Sequence, residues 1–286
     1  MERINTTDNT RPSIMQKLHV RQKKPIYSVS YKNINGYHIF IDVETINDIT
    51  KKETAYPYDI HITIIDNEGH IILSISYIVS DIFDNKVCME NCFYRNKIPY
   101  YEMILDDLNT DKEIIKLRKI YRYSTMERVL NTINRIIEKY NIKSLHAFNG
   151  KFDFEAILNL YELAKINNTP FFNLDLIDTR EMFLKALIDI PKLRERYIKW
   201  CKKYGKYNPD TMNVLTNVET IMQFIMHDLN FREKHNGYSD TLNEIYIEKW
   251  IIKQYEKYHI ELIINFNNYW LKGFSLYSKN GLLKIN

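Results

Sequence analysis

The chain has 286 residues, 45% of them hydrophobic and 27% charged, with a formal net charge of +4, the ordinary composition of a soluble globular protein with a sizeable core. No run reaches the roughly 18 apolar residues of a membrane span, and the opening MERINTTDNTRPS lacks the apolar stretch of a secretory signal, so the cytoplasm is the expected compartment. Three cysteines do not make a disulfide scaffold, and a sequence pI near 8.6 permits a nucleic-acid partner without requiring one.

Residues 1–35 are polar, carry the basic cluster Arg21 to Lys24 and read as a partly disordered leader. The segment 37–44 (YHIFIDVE) is a short strand-type run ending in acids. Strands 59–66 and 70–79 follow, joined by Asn67-Glu68-Gly69, a hairpin signal. Cys88 and Cys92 have a metal-like spacing, but no second ligand pair stands nearby, and reduced thiols are the better reading. Ser124 can cap a helix to about Tyr140, with Val129, Leu130, Ile133, Ile136 and Ile137 on one face. A strand over 142–148, a turn at Asn149-Gly150 and a helix from Phe152 come next, then a strand over 173–178. Residues 190–217 form a basic, Tyr- and Trp-containing insertion with Pro191 and Pro209, and a last helix runs from Asp240. Strands followed by helix–strand–helix units indicate an α/β layer with a mixed sheet. The domain is expected to span 36–286, decorated by the leader and the insertion.

Asp42 and Glu44 lie two apart on a strand, so both carboxylates point to one face of the sheet. Grouping them in a buried place is costly without a compensating cation or donor. A D-x-E is nevertheless common, and a strand end where acids meet solvent accounts for it as well. Asp153 stands at a strand-to-helix junction, where a first-turn acid is favoured by the helix dipole and where open sheets also place ligands. His235 and Asp240 would diverge by roughly 140° on one helix. Asn236-Gly237 instead puts His235 on a loop, with Asp240 opening the helix, so that both can reach one cleft, although a lone histidine before a helix is more often structural or simply exposed.

Taken together, IDVET, FNGKFD and HNGYSD, in this order and spacing, resemble the DEDDh (DnaQ-like) exonuclease family, and residues 217–235 look like the helical lead-in of its phage-encoded members. The resemblance covers most of residues 37–255. It implies a ribonuclease-H-like α/β fold, a central five-stranded mixed sheet flanked by helices. It also implies a 3′→5′ exonuclease acting on single-stranded ends, DNA before RNA, and releasing 5′-mononucleotides. Asp42, Glu44, Asp153 and Asp240 would hold two divalent cations, Mg²⁺ or Mn²⁺, and His235 would act as general base. Thr45, Ile46, Asn149 and Phe152 would surround the terminal nucleotide, with helix–sheet packing the competing role for Phe152. Lys151, Arg194, Arg196, Lys199, Lys202 and Lys203 could steer the phosphate backbone, or simply form a solvated face. The chain departs from many relatives at Thr45-Ile46-Asn47, where glycine is frequent, and at Gly237, where alanine is frequent. RNA trimming by the same fold is the alternative activity. An inactive nucleic-acid-binding module is a second alternative, against which all five site residues are present. The family includes polymerase proofreading subunits, yet no residue here names a polymerase partner. AT-rich codon usage and the phage-like segment point to a bacteriophage or low-GC bacterial source, and hence to a bacterial cytoplasm.

Overall fold

The computed structural model describes residues 27–46, 55–90, 92 and 94–267. The basic cluster from Arg21 to Lys24 and Asn47 lie outside them, as does the side chain of Cys88; Cys92 and Cys201 are buried free thiols. In chain order, β1 (Tyr27–Ser30) precedes β2 (His38–Ile46), β3 (Tyr56–Ile65) and β4 (Ile71–Val79). Four short helices, α1 (Ser80–Phe83), α2 (Lys86–Glu90), α3 (Ile98–Leu105) and α4 (Lys112–Arg118), lead to β5 (Tyr121–Ser124). Then come α5 (Met126–Lys139), β6 (Ser144–Ala147), α6 (Lys151–Leu163) and β7 (Asp175–Asp178). The described chain closes with α7 (Thr179–Asp189), α8 (Pro191–Tyr204), α9 (Val218–Met226), α10 (Gly237–Tyr258) and β8 (Ile263–Phe266).

The Ile-rich runs form an antiparallel meander, β2–β3–β4, with the expected hairpin turn at Asn67-Glu68-Gly69. β6 lies parallel to β2 on its other side, and β7 parallel to β6. The mixed sheet has the order β5-β4-β3-β2-β6-β7 and is flanked by helices. Among the described residues it has six strands where five were expected. The extra strand, β5, buries only Tyr121 of its four residues, too short an alternation to stand out in the sequence.

Side-chain alternation along β2 decides where the acids go. Ile39, Ile41 and Val43 join a core with Val129 and Ile133 of α5 and Ile157 and Leu160 of α6. Phe40 faces the opposite side and packs with Ile65 and with Ile245 of α10. Asp42 and Glu44 share Phe40's side by the two-residue period, and so face α10.

The structure adds detail to three local readings. Ser124 ends β5, and Thr125 occupies the cap position of α5 without a side-chain bond; the Asp81 carboxylate supplies the cap by accepting from Met126 N–H at 2.6 Å. Pro191, in the segment read as an insertion, is the first residue of a 14-residue helix, where its missing N–H costs nothing. Part of the polar leader is structured: β1 pairs antiparallel with β8, Tyr27 opposite Phe266 and Ser30 opposite Ile263.

Candidate active site

The end of β2, the start of α6 and the start of α10 converge. Ligand atoms of Asp42, Glu44 and Asp240 lie within 4.8 Å of one another. A bulge after Glu44, where Thr45 steps to pair with Pro57 while Glu44 pairs with Asp59, re-aims β2 at this point. Asp153 is placed beside the group and outside its tightest part. One of its oxygens, Oδ1, accepts the Val43 backbone N–H at 3.1 Å, which pins the first turn of α6 against β2. The turn before it is held by Asp178, whose carboxylate accepts from Asn149 N–H (3.2 Å) and Gly150 N–H (3.1 Å) while also capping α7.

His235 sits on the loop before α10 in a left-handed conformation (φ +50°), and Asn236 caps the helix by accepting from Ser239 N–H. Gly237 is required here by contact. A Cβ at this position would stand 2.8 Å from His61 Cβ and 3.3 Å from the Asp42 carbonyl oxygen. Asp240, in the first turn, accepts Asn236 N–H on Oδ2 at 2.9 Å.

The electrostatics follow from burial. Asp42, Glu44 and Asp153 are pushed well above the ordinary carboxylate range by burial, and Asp42 and Glu44 also by the surrounding acids. Asp240 is raised to about 8, by burial and then by Glu233. Asp42 Oδ2 and Asp240 Oδ1 are buried with no hydrogen-bond partner among the described residues. Unpartnered carboxylate oxygens packed together are what a cation site leaves behind, and an all-oxygen set suits hard ions such as Mg²⁺ or Mn²⁺. The residues fit the expected metals.

Several participants escaped the sequence. Asp59, across the strand pair from Glu44, is fully buried and accepts from Tyr101 Oη (2.8 Å), Tyr121 Oη (3.2 Å) and Gly237 N–H (3.3 Å), tying the start of α10 to β3. Glu233 groups with His235 and Asp240 within 4.8 Å. Tyr94 stacks on the His235 ring. On α10, Asp240, Glu244 and Glu248 recur every fourth residue on the buried face. Glu244 is held well above the usual range by burial and then by Asp153, and Glu248 Oε2 meets His146 Nδ1 at 3.0 Å. That four-residue spacing was visible in the sequence, but acids on a helix ordinarily mark its wet side.

The residues expected around a terminal nucleotide divide. Asn149 is exposed in the turn before α6 with φ +57°, and Thr45 follows Glu44 directly with 9% exposure. Phe152 is partly buried against the main core, as helix–sheet packing predicts. Ile46 is a correction. It exposes 3%, bridges to Cys92 and belongs to the core, so it has no free surface to wedge against a base. Lys151 lies 3.6 Å from Glu155. Arg196, Lys199, Lys202 and Lys203 lie on the outer face of α8, whose inner residues Leu193, Tyr197 and Cys201 are buried in the second core.

No family model matches the chain, and no curated protein matches it. Among solved structures it is similar to cell-death related nuclease 4, at 13% identity over 77% of this chain and 64% of that one, TM-score 0.45. It is also similar to E. coli exonuclease I in complex with a dA16 oligonucleotide, at 14% identity over 77% and 41%, TM-score 0.46. A third is the nuclease domain of 3′hExo, a DEDDh family member bound to rAMP, at 17% identity over 82% and 98%, TM-score 0.44. The chain thus spans 64% and 41% of the first two. No helix among the described residues is long and apolar enough to cross a membrane.

Proposed function

We propose that this chain is a DEDDh-type, phage-type 3′→5′ exonuclease that hydrolyses phosphodiester bonds at single-stranded ends, DNA before RNA, and releases 5′-mononucleotides. The observation that carries the reading is the meeting of Asp42, Glu44 and Asp240 within 4.8 Å, with buried, unpartnered oxygens on two of them. Asp42, Glu44, Asp153 and Asp240 would hold two divalent cations, Mg²⁺ or Mn²⁺. When bound, such ions lower the pKa of water and neutralise charge building on the phosphoryl oxygens and the leaving alkoxide.

The chain's own residues supply the rest. Burial, and then the positive charge of Lys97, lower the pKa of His235, so its imidazole is neutral at physiological pH and can take a proton from the attacking water. The loop conformation of His235 and the Tyr94 ring behind it orient that imidazole. Asp59 and Gly237 hold the start of α10 against β3, and Asp153 does the same for α6 against β2. This positioning is the protein's main contribution to a reaction governed by electrostatics. Thr45 and Asn149 are the flanking contacts for the terminal nucleotide.

The test uses 5′-labelled DNA and RNA oligonucleotides side by side, with wild type and Asp42→Asn, in Mg²⁺ and in excess chelator. A ladder shortening from the 3′ end, lost in the variant and in chelator, is expected, with DNA the faster substrate. Undiminished cleavage in chelator, or internal cuts in circular single strands, would falsify the reading. Faster shortening of RNA would reassign the substrate.

A further inference from the structure

Asp240 faces two groups of donors. One is the carboxylate set with Asp42 and Glu44; the other pairs it with the Glu233 carboxylate and the His235 imidazole, whose ligand atoms also lie within 4.8 Å of one another. The second group differs chemically because it contains a nitrogen. Imidazole nitrogen with two carboxylates is a donor set for borderline transition metals, zinc(II) foremost, and a poor one for Mg²⁺.

Three further observations indicate that this second group can bind a ligand. Asp240 is 3% exposed, and its Oδ1 is buried without a hydrogen-bond partner among the described residues, while Oδ2 is already engaged by Asn236 N–H. Leaving such an oxygen unpaired is costly unless something arrives to meet it. Among the described residues, no lysine or arginine pairs with Glu233; the adjacent Arg232 lies 3.8 Å from Glu219 and donates to the Leu229 and Phe231 carbonyls instead. The imidazole is already oriented, with its ring stacked on Tyr94 and its backbone held in the loop before Asn236. Donors this close can converge on one ion at bond lengths of about 2.0–2.2 Å through small side-chain shifts.

We propose that Glu233, His235 and Asp240 form a site for a zinc-like cation, sharing Asp240 with the carboxylate group and competing with it, and that filling it inhibits the enzyme. The inhibitory part rests on the nuclease reading above. Zinc there engages the His235 lone pair, which then cannot accept a proton, and it draws Asp240 away from Asp42 and Glu44. The surroundings thus sense the transition-metal supply through the residues that Mg²⁺-dependent hydrolysis needs.

The experiment titrates zinc chloride into the full chain in saturating Mg²⁺, using competition with a chromophoric chelator, and X-ray absorption reads the nearest ligands of bound zinc. One zinc per chain with an imidazole among its ligands is expected. Glu233→Gln should weaken it by at least the roughly 10–100-fold that loss of even a supporting partner costs a metal site. His235→Gln should do the same, and circular dichroism verifies that both variants are folded. Zinc inhibition of strand shortening, normalised to each variant's own zinc-free rate, should move to correspondingly higher zinc for Glu233→Gln. Zinc held equally well by Glu233→Gln, or a ligand sphere without imidazole, overturns the proposal. The binding arm decides this even if the chain shortens no oligonucleotide, so its failure is distinguishable from failure of the nuclease reading.

Discussion

The ring of Tyr94 lies on the imidazole of His235, centroids 4.4 Å apart and planes 16° from parallel. An aromatic stack of this kind contributes about 0.5–1.5 kcal/mol beyond area burial, here directed at the orientation of the proposed general base. Tyr94→Leu is therefore expected to lower kcat by up to about tenfold, since 1.4 kcal/mol is a factor of ten. Mn²⁺ affinity should stay as in wild type, and Tyr94→Phe should restore the rate. Single-turnover kinetics with metal titrations would show this, and a Tyr94→Leu rate equal to wild type would remove the ring from the mechanism.

Stability without metal should fall as pH rises from 6.5 to 8. A carboxyl whose folded pKa is raised binds its proton more tightly in the folded state, so it stabilises at low pH and that stability is lost as pH climbs through the raised value. Asp240, raised to about 8, titrates in this window, and Asp42, Glu44, Asp153 and Glu244 shift in the same direction. Below pH 6.5 the sense is mixed. Burial lowers His38 to about 4 and His61 to about 3, so these rings destabilise the fold as pH falls from 6.5. Thermal melts in chelator should therefore lose Tm between pH 6.5 and 8, and saturating Mg²⁺ should flatten the slope. A chelator series with constant or rising Tm there would contradict the cluster's electrostatics.

The acid limb of the pH–rate profile belongs to His235 in this scheme. Its pKa is lowered by burial and then by Lys97, so Lys97→Gln should raise it. Because the neutral ring is the active form, kcat/KM of the variant should rise with pH along a limb displaced to higher pH. An undisplaced limb would mean that the group titrating there is not His235.

Gly237→Ala tests the seat of α10. The new methyl would stand 2.8 Å from His61 Cβ, with the Asp42 carbonyl oxygen and His61 backbone nitrogen both at 3.3 Å. Overpacking of this kind costs about 1–3 kcal/mol. The start of α10 must retreat from β2 and β3, carrying Asp240 with it, so a lower Tm should come with weaker Mn²⁺ binding. Loss of one without the other would show that the helix start and the metal group are not coupled.

The parts of the site carried by local pattern were legible in the sequence. Two-residue alternation put Asp42 and Glu44 on one face, and Asn236-Gly237 separated the His235 loop from the helix bearing Asp240. What escaped depends on contacts between distant segments. Asp59 matters because the β2–β3 register sets it opposite Glu44 and because Tyr101, Tyr121 and Gly237 all reach it. Tyr94 comes from a stretch of short helices without a clear period. Adjacency to Glu44 says nothing about burial, and in the structure Ile46 bridges to Cys92.

The β1–β8 ribbon bears on how the chain folds. Ser28 Oγ donates to Asn265 Oδ1 across 237 positions of sequence, and closing a loop of that length carries an entropic cost on the order of 5 kcal/mol. Such a contact forms only after the intervening sheet has shortened the path between its ends, which makes the ribbon a late event in folding and an early one to open. Its antiparallel register also sets Tyr27 beside Phe266. A circular permutant of residues 27–266, joined there by a short linker and opened at the Asn67-Glu68-Gly69 turn, would convert the most distant pairing into a local hairpin. The order in which the ribbon and the sheet assemble would then be reversed.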